Sequence, residues 1–85
     1  MAEPKVGLVL VSHSAKLAEG LAELAGQMAA DVRIAAAGGL ESGEIGTSYD
    51  LIESAINDLL GEGLAVVVLT DLGSATMTVE SVLEF

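Results

Sequence analysis

The residues with chemistry to offer fall in two short runs, Ser12-His13-Ser14 and Asp71-Leu72-Gly73-Ser74-Ala75. His13 is the only histidine, and the chain contains no cysteine. Those two counts exclude disulfides, thiol chemistry and His-rich metal sites; a closed zinc site would need carboxylates for its other ligands. What remains is a nucleophile. A neutral imidazole attacks through one ring nitrogen, and a carboxylate bonded to the other fixes the tautomer and stabilises the positive charge that develops. Asp71 is the candidate carboxylate, and Ser12, Ser14 and Ser74 add hydroxyl donors. Together these groups describe a phosphoryl-transfer site that needs no metal and no cofactor. Each group also has a plainer reading. His13 suits an ordinary loop hydrogen bond, Asp71 suits a loop carboxylate on nearby backbone N–H groups, and Ser14 and Ser74 suit helix caps.

For the two runs to meet, they must leave a sheet at neighbouring strand ends. Val6–Val11 and Leu64–Leu69 are continuous apolar runs rich in Val and Leu, the pattern of parallel strands buried on both faces. Val32–Ala37 is weaker, with Arg33 inside it, and suits a position nearer an edge. Between them, Leu17, Leu21, Leu24 and Met28 form one apolar stripe on a helix over residues 15–30, and the stripe reads as core. Ile52, Ala55, Ile56 and Leu59 repeat the pattern over residues 48–60. Thr47-Ser48-Tyr49-Asp50 reads as a capping box with Asp in place of the usual Glu, and Gly61 and Gly63 supply the stop. A third helix opens at Ser74 and turns Val79, Val82 and Leu83 inward.

The order β-α-β-α-β-α predicts a small three-layer α/β domain with a parallel sheet in order 2-1-3. Ligands in such sheets gather beyond the carboxyl ends of the strands, where strand order reverses. Here that point lies between strands one and three, so His13 and Asp71 fall on strands ~4.8 Å apart. Both runs lead into helix N-termini, whose unpaired N–H groups favour an anion. The long connection from Gly38 to Thr47 reads as a functional loop. No G-x-x-x-x-G-K-[ST], G-x-G-x-x-G or G-x-S-x-G motif is present, which argues against nucleotide-binding loops and serine hydrolases.

Thirteen acidic residues against three basic ones give a formal net charge of -10, which repels nucleic acid and anionic membranes. No apolar run is long enough to span a bilayer, so no membrane insertion is expected. Met1-Ala2-Glu3-Pro4-Lys5 lacks the basic start and apolar run of a signal peptide, and a cytoplasmic location follows as the expectation. Eighty-five residues make one domain, 1–85. Three strands are few for this class, and a fourth strand and last helix are expected to be absent at the C-terminus. The open apolar edge of strand three predicts a homodimer or larger assembly.

The run Gly7-Leu8-Val9-Leu10-Val11-Ser12-His13-Ser14, with Gly38-Gly39, Ile45-Gly46-Thr47-Ser48 and Asp71-Leu72-Gly73-Ser74-Ala75, resembles one family. It comprises the phosphoryl-donor subunits of bacterial phosphoenolpyruvate-dependent dihydroxyacetone (glycerone) kinases, whose N-terminal domain is similar to the mannose-type enzyme IIA of the phosphotransferase system. The resemblance covers nearly the whole chain. It implies that His13 accepts a phosphoryl group from the phosphocarrier protein HPr and passes it to ADP on the nucleotide-binding kinase subunit. It implies further that Asp71 orients and charge-stabilises His13, and that Ser12, Ser14, Thr47, Gly73 and Ser74 line the phosphohistidine. Mannose-type relatives more often carry Thr-His-Gly at the first run and Gly-Gly-Ser-Pro at the second, so the match favours the kinase branch. Competing readings are a mannose-type sugar-transport enzyme IIA, a small tetrapyrrole-pathway chelatase or metal-binding domain, and a non-catalytic interaction domain. The chelatase turn is His-Gly-Ser-like, whereas Ser14 stands here in place of that glycine and no second histidine exists.

Overall fold

The computed structural model describes residues 6–84, so the readings of Met1–Lys5 and Phe85 lie outside the described residues. The elements alternate as β1 (Val6–Ser12), α1 (Ala15–Met28), β2 (Arg33–Gly38), α2 (Tyr49–Gly61), β3 (Ala65–Thr70) and α3 (Gly73–Leu83). The strands are parallel in the order β2-β1-β3, as the pattern predicts. Ser12 pairs with Gly38 on one side, and Val11 pairs with Thr70 on the other. Ser12 and Asp71 therefore leave the sheet side by side.

One face of the sheet carries α2 and α3. Val9, Val11, Ile52, Ile56, Leu59 and Val79 form the centre of the core on that side, with Val66 and Val68 of β3 packed against it. Ile52, Leu59 and Val9 are fully buried, and truncation of such a side chain to Ala costs about 2–5 kcal/mol. Ser48 caps α2 by accepting a hydrogen bond from the Leu51 N–H at 3.2 Å, so the cap stands one residue later than Thr47. α3 reaches the core through a narrow stripe of Ala75, Val79 and Val82. Leu83, about 100° further round the helix, is exposed rather than inward.

The other face carries α1, which packs in a way its sequence does not announce. Leu17, Leu21, Leu24 and Met28 are 45–83% exposed, and the residue that α1 buries is Ala18. The partly covered residues of α1 are Ala15, Ala22, Ala25 and Gly26, so the helix meets the sheet by its alanine face. Gly38 explains the choice. A Cβ there would lie 2.5 Å from the Ser14 carbonyl oxygen and 2.7 Å from Ala18 Cβ, so the helix backbone rests almost directly on β2. Leucines in that interface would hold the helix away. The leucine face instead turns sideways, toward β3, where Leu10, Leu17, Leu21 and Leu69 line an open apolar groove that ends at Asp71. β3 is accordingly an edge strand with Val67 and Leu69 exposed, not a strand buried on both faces. Arg33, on the opposite edge strand, forms an exposed two-pronged ion pair with Glu62 at 2.9 and 2.8 Å.

Two glycine substitutions test this packing. Gly38→Ala is expected to lose about 1–3 kcal/mol, because the clash is with backbone as well as side chain. Gly20→Ala, in the middle of α1 with nothing within 4 Å of the added Cβ, is expected to gain about 0.5–1 kcal/mol. Urea denaturation of the two variants reads both signs, and equal effects would contradict the close approach at Gly38.

Candidate active site

β1 ends at Ser12, and the chain must turn at once to start α1. Ser14 adopts an extended backbone there and caps α1, accepting the Leu17 N–H at 3.2 Å. That turn leaves His13 standing at the strand end beside Asp71, the first residue after β3. Asp71 draws the turn together. Its Oδ2 accepts the Ser12 hydroxyl at 2.9 Å and the His13 backbone N–H at 3.0 Å, and its Oδ1 lies 3.0 Å from His13 Nδ1. The Ser12 oxygen in turn accepts the Ser14 N–H at 3.1 Å.

Partial burial works against ionisation of Asp71. It is outweighed by hydrogen bonds from the His13 backbone, the His13 ring, Ser12 and the Leu72 backbone N–H, which hold the carboxyl well below its ordinary value of 3.8. Asp71 is therefore a carboxylate at neutral pH, and a carboxylate only accepts. The proton of the neutral imidazole is assigned on that ground to Nδ1, which leaves a lone pair on Nε2. The Ser74 hydroxyl, 2.6 Å from Nε2, must then donate to it.

Ser74 belongs to the first turn of α3. The N-cap residue, Leu72, makes no side-chain capping bond, so Ser74 is not the cap that its sequence position implies. The first N–H groups of α3, those of Gly73 and Ser74, fall outside the helix's own ladder, in the turn whose Ser74 hydroxyl meets Nε2. An added Cβ at Gly73 would meet nothing within 4 Å, so packing does not require a glycine at this position. A lone pair, an orienting carboxylate and an uncapped helix start thus converge on one spot that suits an anionic, electrophilic group such as a phosphoryl.

The loop between β2 and α2 is tied by its backbone to the same turn. Gly39 has φ +69°, where a Cβ would sit 3.0 Å from the Glu44 carbonyl oxygen, and this turn folds the loop back. The Gly39 N–H donates to the Ser12 carbonyl at 3.0 Å and the Gly46 N–H to the His13 carbonyl at 2.8 Å. The structure therefore brings together Ser12, His13, Asp71 and Ser74 by direct side-chain contact, with Gly73 beside them. The Ser14 hydroxyl is engaged in its cap. The Thr47 hydroxyl faces Thr78 Oγ1 at 3.2 Å rather than His13. Thr78 is the neighbour that the sequence reading missed; its one signal is its position four residues after Ser74, on the same helix face. Among the described residues, no three His, Asp or Glu side chains gather as metal ligands, and no helix is long and apolar enough to cross a membrane.

Residues 7–85 match the EIIA-man family, described as "PTS system fructose IIA component", and the chain belongs to that family. It is 44% identical over 78 residues to "PTS-dependent dihydroxyacetone kinase, phosphotransferase subunit DhaM" of Lactococcus lactis, covering 92% of this chain and 62% of the relative. It is also 44% identical over 84 residues to "PEP-dependent dihydroxyacetone kinase 1, phosphoryl donor subunit DhaM" of Listeria innocua, covering 99% of this chain and 65% of the relative. The chain thus spans a little under two thirds of each of these two relatives. A crystal structure of "unknown function protein EF1359" superposes with a TM-score of 0.85 at 29% identity, over 96% of this chain and 62% of the other.

The depressed carboxyl gives a signed pH dependence. In the unfolded chain Asp71 takes up a proton below its ordinary value of 3.8, whereas in the fold it does not until lower pH. Its contribution is thus fully present above that value and is lost as pH falls through the folded value. Asp71→Asn is expected to be less stable than wild type by roughly 1–2 kcal/mol near neutrality, with a gap that closes in acid. Urea titrations between about pH 3 and pH 7 measure the gap, and a pH-independent difference would refute this assignment.

Proposed function

We propose that this chain is a phosphoryl carrier of a phosphotransferase system, and that His13 Nε2 is the atom that carries the phosphoryl group. The observation that carries the reading is the His13 ring, held by Asp71 at 3.0 Å on one nitrogen and met by Ser74 at 2.6 Å on the other, at the start of α3. The named relatives, which are subunits of dihydroxyacetone kinases, support the same chemistry. HPr is the donor in this reading, and ADP on the dihydroxyacetone kinase subunit is the acceptor.

The steps balance without a cofactor. The Nε2 lone pair attacks phosphorus, a P–N bond forms, and the donor's bond to the phosphoryl group breaks with its electron pair returning to the donor. No proton is taken from the ring, because Nδ1–H remains on Asp71. The ring gains positive charge, and the Asp71 carboxylate stabilises it. At rest the Ser74 proton occupies the lone pair, so it must turn aside before attack. It then has a phosphoryl oxygen within reach, alongside the N–H groups of Gly73 and Ser74. In the second half, an oxygen of the ADP terminal phosphate attacks and the Nε2 lone pair is restored.

Intact-mass analysis after incubation with phosphoenolpyruvate, enzyme I and HPr tests the first half. Wild type is expected to gain one acid-labile phosphoryl group, and His13→Ala none. Asp71→Asn is expected to slow transfer by about 10²- to 10⁴-fold. Wild-type labelling of His13→Ala would refute the mechanism. Adding the ADP-loaded dihydroxyacetone kinase subunit, or separately a mannose-type enzyme IIB, tests the second half. Discharge to the enzyme IIB alone would assign the chain to sugar transport.

The reading includes a homodimer. The unpaired edge of β3, with Val67 and Leu69 exposed beside the leucine face of α1, is the surface that supports it. Sedimentation equilibrium is expected to report a dimer or larger species, and a monodisperse monomer would contradict self-association.

A further inference from the structure

We infer that Thr78 is a positioning residue that, with Thr47, clamps the β2–α2 loop and the first turn of α3 against His13; the inference rests on the carrier role of His13 proposed above. Thr78 Oγ1 donates to the Ser74 carbonyl at 3.0 Å. A threonine has one hydroxyl proton, so the 3.2 Å contact with Thr47 is one in which Thr47 donates and Thr78 accepts. The direction of the chain is therefore fixed: Thr47 to Thr78, and Thr78 to the backbone of Ser74.

The two ends of this chain meet again at His13. Thr47 directly follows Gly46, whose N–H donates to the His13 carbonyl at 2.8 Å. Ser74 donates its hydroxyl to His13 Nε2 at 2.6 Å. Loop, helix and histidine thus form a closed circuit of hydrogen bonds and chain links, in which Thr47 and Thr78 join loop to helix without touching His13. A threonine hydroxyl bonded to the carbonyl four residues back is common in helices and by itself implies nothing. What distinguishes Thr78 is the second bond, which arrives from a different element. It also accounts for Thr47: this hydroxyl has given its proton to Thr78, so Thr47 serves the site by holding the loop and not as a donor to phosphate.

Thr78→Val keeps the branched shape and removes the hydroxyl, whereas Thr78→Ser keeps the hydroxyl. With phosphorylated HPr as donor, the valine variant is expected to be phosphorylated roughly 10-fold more slowly, since small misplacements of reacting groups carry penalties of this order or larger. The serine variant is expected to stay near wild type. Thr47→Val, outside the helix, is expected to match Thr78→Val, and the double variant is expected to be no slower than either, because both break one circuit. The ¹⁵N resonance of His13 Nε2, which senses the Ser74 proton, is expected to move in both valine variants and not in the serine variant. That resonance needs no phosphoryl donor, so it separates the two readings. A moved resonance in a protein that HPr never labels would retain the clamp and discard the carrier role. Normal labelling with wild-type rates and an unmoved resonance in both valine variants would discard the clamp, and so would an equal loss in Thr78→Ser.

Discussion

The site depends on one carboxylate that cannot easily be protonated. Asp71 receives donors from β1, from the turn that follows it and from its own neighbour Leu72, and these convert a flexible strand end into a fixed base for His13. The same ionisation determines the ring. With Oδ1 able only to accept, a neutral ring carries its proton on Nδ1 and turns its lone pair toward α3. On the carrier reading, a carboxylate beside an incoming phosphoryl group carries the wrong sign for ground-state binding. It becomes favourable when the ring itself acquires charge, which is the differential that such transfer requires. The start of α3 supplies the complementary attraction for the anion.

Behind this lies a packing constraint on the opposite side of the sheet. Gly38 allows Ser14 and Ala18 to press onto β2, so the turn carrying His13 is pinned from below by backbone contact and from the side by Asp71. The loop after β2 leaves from the same glycine pair and returns to bond the His13 carbonyl. Packing of α1 and placement of His13 are thus one problem solved once, by the absence of a side chain at residue 38.

The architecture was legible because its signals are long. Three apolar runs and the helices between them predict the strand order, and that order alone brings His13 and Asp71 to neighbouring strand ends. The misreadings have a common physical source. The leucines of α1 read as core because hydrophobicity outranks size in a periodic pattern, whereas the interface at Gly38 selects for smallness and takes the alanines. Leu83 and the outer face of β3 read inward because they too are apolar, although both are exposed. Ser74 and Thr47 each carry the residue type of a cap, yet Leu72 and Ser48 hold those positions; a shift of one or two residues at a helix start lies below what residue type can resolve. The role of Thr78 is not legible because its partner Thr47 is distant in sequence and lies at the end of a loop that follows no periodic pattern.

The exposure of the site has a consequence for timekeeping. The His13 side chain keeps 20% of its surface in contact with solvent and Asp71 keeps 24%. Both side chains thus stay within reach of water in the described structure. An enzyme that holds a reactive intermediate commonly closes and expels water. A carrier has the contrary obligation, because two different proteins must reach the same atom in turn. On the carrier reading, the lifetime of the charged form is then a property of the phosphoramidate bond itself, running down in water at its own rate. Fidelity becomes a matter of haste: the acceptor has to arrive before hydrolysis does, and the concentration of that acceptor, not the shape of this domain, decides how much of the charge is delivered.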